Sequence, residues 1–134
     1  MGVKVTKQSI DLGIVTSNGP AMLAFYRDVL GFAVVREMPM PGGGAHMHHL
    51  ACGESLIKLV VSEKELPRAA PGGPLKAGGY RYWTITVSDL TALLAEVAAS
   101  GAKVVVPERA LRPGVSIAIV EDPDGNWVEF LSLG

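Results

Sequence analysis

His46, His48 and His49 fall within four consecutive positions. A His-x-His pair on a strand turns both rings to one face, and imidazoles arranged so can begin a metal site. The next carboxylate along, Glu54, lies in a hairpin turn and is too far on to complete such a set with them. Lys58 stands alone among apolar residues in Leu56-Ile57-Lys58-Leu59-Val60, as Glu129 does in Trp127-Val128-Glu129-Phe130-Leu131. Alternation sends Ile57 and Leu59 to a core and Lys58 to the opposite face. A carboxylate placed like Glu129 can move a proton, and a fixed ammonium like Lys58 can polarise an oxygen or stabilise an enolate.

These residues come in matched places because the chain says nearly the same thing twice. Ile10–Asn18 reads as a strand, followed by an apolar-periodic helix that stops at Gly31. Tyr82–Asp89 reads as a strand, followed by a helix capped by Asp89 that stops at Gly101. Each helix leads into a β-rich stretch. The reading is β over 8–16, a helix from Asn18 or Gly19, then strands over 32–37, 46–51 and 56–61. The second copy has strand 80–87, helix 90–99 and strands 102–106, 115–121 and 127–132. Superposing the copies matches Asp11 with Tyr82 and Lys58 with Glu129. In the first hairpin, pairing Ala51 with Leu56 sets His49 opposite Lys58 and Met47 opposite Val60. Trp127 shares the face of Glu129, and Tyr82 faces the same way.

The expected fold class is α+β: two βαβββ modules, about 8–61 and 80–133, forming a cup-shaped, partly closed mixed sheet with helices on its outer face. The Pro- and Gly-rich stretch 62–79 is the expected linker and a candidate mobile loop over a site. At 134 residues with 49% hydrophobic content, the chain can build one domain-sized core without disulfides. A net charge of −1 with scattered basic residues excludes an electrostatic footprint for nucleic acid. No apolar run reaches the length of a membrane span. A single cysteine, Cys52, excludes an internal disulfide and suits a reducing, cytoplasmic setting.

Leu12-Gly13-Ile14-Val15, Phe25-Tyr26-Arg27-Asp28-Val29-Leu30-Gly31-Phe32 and Asp122-Pro123-Asp124-Gly125-Asn126 with Glu129 resemble the vicinal oxygen chelate superfamily. It includes glyoxalase I, bleomycin-resistance proteins, fosfomycin-resistance enzymes and extradiol dioxygenases. The resemblance spans residues 8–133 and implies a homodimer with paired βαβββ modules around a cup. Each cup lies within one chain or across the dimer. In metal-dependent branches the first and last strands of each module supply His, Gln or Glu ligands to one divalent cation. Those places fall on Asp11, Lys58, Tyr82 and Glu129.

Only Glu129 is a usual ligand there, and an ammonium at Lys58 has no lone pair and repels a cation. Two unit charges ~4 Å apart repel by roughly 4 kcal/mol at an effective dielectric of 20. The resulting expectation is a cofactor-free protein of the drug-sequestering type, binding a small aromatic or amphipathic molecule. Tyr82, Trp127, Met47 and His49 would supply contact area, while Asp11, Lys58 and Glu129 orient polar groups. The alternative is a lyase, isomerase or dioxygenase-like enzyme. It would be metal-dependent through Asp11, Glu129 and His49, or metal-free with Glu129 as base and Lys58 stabilising an enolate.

Overall fold

The computed structural model describes residues 2–134 and divides into two compact units, one ending at Leu66 and one beginning at Pro67. The boundary falls inside the Pro- and Gly-rich stretch. Each unit carries one four-stranded mixed sheet, and neither sheet closes into a barrel. In the first unit the elements run β1 (Leu12–Thr16), α1 (Gly19–Leu23), β2 (Val34–Pro39), β3 (Ala45–Cys52) and β4 (Ser55–Ser62). In the second they run β5 (Tyr82–Thr86), α2 (Leu90–Ala99), β6 (Lys103–Arg112), β7 (Val115–Glu121) and β8 (Trp127–Ser132). The sheet orders are β1-β4-β3-β2 and β5-β8-β7-β6, the same topology twice. In both, the first strand pairs in parallel with the last and all other pairs are antiparallel. The α+β class and the βαβββ repeat read from the sequence are what the chain adopts.

Each sheet has one face under its helix. In the first unit Ile57, Leu59 and Leu50 are buried with Met22, Phe25 and Tyr26 of the helical segment. In the second, Val128, Phe130, Val120 and Ala118 are buried with Leu90 and Val97 of α2. The intervening residues turn to the other face, here called the open face of each sheet. Exposure alternates accordingly along β5, where Tyr82, Thr84 and Thr86 are exposed and Trp83 and Ile85 are not.

Three local readings are refined. The first helix is α-helical only to Leu23 and then widens into a π-helical stretch, Ala24–Val29, closed by Leu30 N–H donating to Phe25 O at 2.9 Å. The wider turn brings neighbouring side chains angularly closer, so Phe25 and Tyr26 are both buried, edge-to-face with centroids 4.9 Å apart. Gly31 and Gly101 end the helical segments at φ +80° and +87°, as the repeat requires. β1 begins at Leu12 rather than residue 8, and β6 continues through Pro107 to Arg112. Proline is tolerated there because β6 is an edge strand with register shifts along its pairing with β7. Asp89 caps α2 as expected, its carboxylate accepting from Ala92 N–H at 3.3 Å. Among the described residues no helix is long and apolar enough to cross a membrane.

Gly19 starts α1 against the core-facing side of β4, where an added Cβ would stand 2.7 Å from Val61 Cγ1. Valine is stiff at χ1, so the methyl cannot swing clear cheaply. Gly19→Ala is therefore expected to destabilise the protein by about 1–3 kcal/mol, measured by urea denaturation.

Candidate functional site

On the open face of the first sheet, parallel register sets Gly13 of β1 beside Lys58 of β4. Antiparallel register sets His49 of β3 opposite Lys58, and Met47 opposite Val60, as the hairpin reading required. On β2, Arg36 lies opposite His49 and Met38 opposite Met47, just past a register shift between Val34 and Arg36. Directly paired residues share a face, so Lys58, His49, Met47 and Arg36 project together. Among the described residues Lys58 forms no salt bridge. Burial, followed by the positive charges of Lys58 and Arg36, pushes the His49 imidazole below its usual pKa. The ring is accordingly neutral at pH 7, and its buried Nε2 has no hydrogen-bond partner among the described residues.

Asp11 lies just before β1, and its carboxylate is already engaged. Its Oδ1 accepts from Lys7 Nζ at 2.7 Å and from Leu56 N–H at 2.8 Å. The Lys7 hydrogen bond is the largest cause holding its pKa below the ordinary value, with the Leu56 N–H next and the more distant Lys58 charge last. Asp11 thus takes its ion-pair partner from four residues upstream rather than from Lys58. Ser9 Oγ donates to Glu54 O at 3.2 Å, tying the same segment to the β3–β4 turn.

On the open face of the second sheet, Tyr82 pairs with Trp127 and Thr84 with Glu129. The Thr84 hydroxyl donates to Glu129 Oε1 at 2.7 Å. Sequence reasoning missed Thr84, because the register of β5 on β8 that sets it beside Glu129 joins strands 45 positions apart. Trp127 packs more tightly than a free aromatic wall. Its indole N–H donates to Glu121 Oε1 at 3.3 Å, and Lys103 Nζ lies 3.7 Å from Glu121 Oε2. The ring also lies against the backbone of Gly73, where an added Cβ would come within 2.4 Å of it.

The stretch read as a linker and mobile loop is anchored to this unit from Pro67 onward. Arg81 Nε donates to Gly73 O at 2.9 Å, and Arg68 stands 3.4 Å from Asp124. The Asp122–Asn126 turn is held by its own first carboxylate, which accepts from Asp124 N–H, Asn126 N–H and the Asn126 amide, each at 2.9 Å.

His46 and His48 face the helix side of the first sheet, opposite His49. There His48 Nδ1 meets Glu37 Oε1 at 2.9 Å. Glu37 went unrecognised in the sequence because it lies on the neighbouring strand, directly opposite His48. Cys52 is half-buried, and burial pushes its thiol above the usual pKa, away from nucleophilic use.

The family model described as Glyoxalase/Bleomycin resistance protein/Dioxygenase superfamily matches residues 9–130. The chain belongs to this superfamily. A search of curated proteins finds no match. Among solved structures, the protein SMU.1112c is 26% identical with a TM-score of 0.75, covering 95% of this chain and 99% of that one. The glyoxalase family protein APC24694 from Bacillus cereus is 16% identical with a TM-score of 0.80, covering 98% and 97%. The trypanothione-dependent glyoxalase I of Leishmania major is 19% identical with a TM-score of 0.74, covering 95% and 87%. The last two likenesses are likenesses of fold.

The superfamily often binds a metal, and the four places the resemblance assigns to its ligands do not fit one here. Lys58 brings a positive charge with no lone pair. The Asp11 carboxylate is held by an ammonium and a backbone N–H, the Tyr82 phenol is a poor donor to a divalent ion, and only Glu129 is a usual ligand.

Two predictions test this geometry. Gly73→Ala adds a side chain both at φ +81° and into the Trp127 ring, so it should destabilise the protein by about 1–3 kcal/mol and shift Trp emission. For Asp11, a depressed folded pKa means its stabilisation is full above the ordinary carboxylate value and is lost as pH falls through the folded one. The stability gap between wild type and Asp11→Asn should therefore be present at pH 7 and narrow below about pH 4, followed by denaturant titration at each pH.

Proposed function

We propose that this protein binds a small aromatic or amphipathic molecule bearing an acidic or oxygen-rich group against the open face of its first sheet, without a metal, in the manner of drug-sequestering members of the superfamily. The observation that carries the reading is the open face of the first sheet. Lys58 falls at a place that the resemblance assigns to a metal ligand, and it projects beside Arg36 and a neutral His49 with no salt-bridged carboxylate among the described residues. Such a face repels a cation and attracts a carboxylate, phenolate or enolate. Met47 and Met38 flank it with adaptable apolar contact. Tyr82 and Trp127 offer aromatic surface on the open face of the second sheet, with Glu129 as a hydrogen-bond acceptor. On this proposal the protein acts as a homodimer in a reducing compartment, cytoplasmic in its setting, with modules over about 8–61 and 80–133.

A second reading is a metal-free lyase or isomerase. It draws on Thr84, which orients the Glu129 carboxylate through Oε1, while Oε2 has no hydrogen bond among the described residues and is available to take a proton.

Titration calorimetry and Trp fluorescence with hydroxybenzoates and with the matching neutral benzyl alcohols test the first reading. The acids should bind in preference to the alcohols, and Lys58→Met should weaken them by roughly ten- to a hundredfold, the worth of a hydrogen bond to a charged group. Acids that bind equally well to Lys58→Met, or no binding by any of them, would overturn it. Turnover that Glu129→Gln abolishes while affinity is kept would establish the enzyme instead.

A further inference from the structure

The face of the first sheet opposite Lys58 carries a second constellation. β2 and β3 bring Glu37, His46 and His48 together so that one donor atom from each lies within 4.8 Å of the others. The cause is local register. His46 and His48 are two apart on β3 and share a face, and Glu37 on β2 lies directly opposite His48. The two imidazoles stand edge-to-face with centroids 4.9 Å apart, and His48 Nδ1 is 2.9 Å from Glu37 Oε1. Glu37 and His46 are exposed and His48 is half-buried, so the donors are reachable from solvent.

We propose that Glu37, His46 and His48 form a site for a divalent transition metal of the zinc class, separate from the open face of the sheet. Zinc held at about 2.0–2.2 Å by nitrogen and oxygen donors in tetrahedral geometry sets them roughly 3.4 Å apart. Here one donor pair is 2.9 Å apart and one donor atom from each residue lies within 4.8 Å of the others, close to that spacing. Glu37 and His46 are exposed, so their side chains are free of core packing that would oppose closing the set. Two imidazoles and one carboxylate leave a position open for water or an external ligand. The donor set selects zinc, nickel or cobalt over magnesium and calcium, which demand oxygen.

The site straddles the hairpin joining edge strand β2 to β3, next to the Met40–Gly44 connection. A bound ion would cross-link that edge, so binding also raises thermal stability. His49 lies on the other face and takes no part.

The test uses chelator-stripped protein titrated with Zn²⁺ alone, by calorimetry and thermal melting, with Mg²⁺ as the hard-cation control. Expected are one Zn²⁺ per chain, a higher melting temperature and no response to Mg²⁺. His46→Ala/His48→Ala should lose saturable binding and Glu37→Gln should weaken it by at least about tenfold, while His49→Ala retains it. Melting and circular dichroism without metal establish that each variant folds. If the double variant fails to fold, Glu37→Gln and His49→Ala together still decide. Absence of saturable Zn²⁺ binding leaves the three side chains an ion-pair cluster only and overturns the site. So does binding that survives loss of both histidines, or binding that Glu37→Gln leaves unchanged and His49→Ala removes.

Discussion

Everything about the open face of the first sheet depends on the two-residue period of β4. Ile57 and Leu59 are held in the core beneath the first helix, at 1% and 0% exposure, so Lys58 between them has no choice of side. A one-residue slip would bury an ammonium and expose two large aliphatic side chains, a change far costlier than any surface interaction. Core packing therefore delivers a positive charge to a place that the resemblance assigns to a metal ligand. The same constraint acts through the register of β3 and β2, which lines up His49 and Arg36 with it.

The charges on that face settle into a consistent pattern. Asp11, a carboxylate that feels the Lys58 charge, is bound by Lys7 and by the Leu56 N–H. His49 remains neutral under burial and two nearby cations. The opposite face inverts this chemistry with residues of β2 and β3. There Glu37 and two imidazoles provide lone pairs, so the first sheet carries the Lys58 cluster on one face and the Glu37, His46 and His48 cluster on the other. Any metal found in this protein must accordingly be assigned to a face before it says anything about function.

Much of this was legible in the sequence because it rests on local signals. Glycine stops, apolar periodicity and the Gly53-Glu54 turn sufficed for the repeated βαβββ order and for the pairing of His49 with Lys58. What could not be read depends on contacts between segments distant in sequence. The π-helical widening goes with the burial of both Phe25 and Tyr26, and β6 can run through Pro107 because it lies at a sheet edge. Thr84 on Glu129, Glu37 on His48 and Gly73 on Trp127 are partnerships across 45, 11 and 54 positions. Lys7 on Asp11 is short-range, yet it falls before β1, in a segment held by side chains rather than by a ladder, where alternation carries no information.

The most direct test of the central claim, that the Lys58 face is built for an acidic ligand rather than a metal, is the metal content of the His46→Ala/His48→Ala protein. This variant removes the one Glu/His group found among the described residues, so stoichiometric metal retained by it points to the family's ligand places. After incubation with Mn²⁺, Fe²⁺, Co²⁺, Ni²⁺ or Zn²⁺ and gel filtration, elemental mass spectrometry should find no stoichiometric metal. About one ion per chain, lost again on Glu129→Gln or Asp11→Asn, would contradict the account and place the protein among the metal-dependent members of its superfamily.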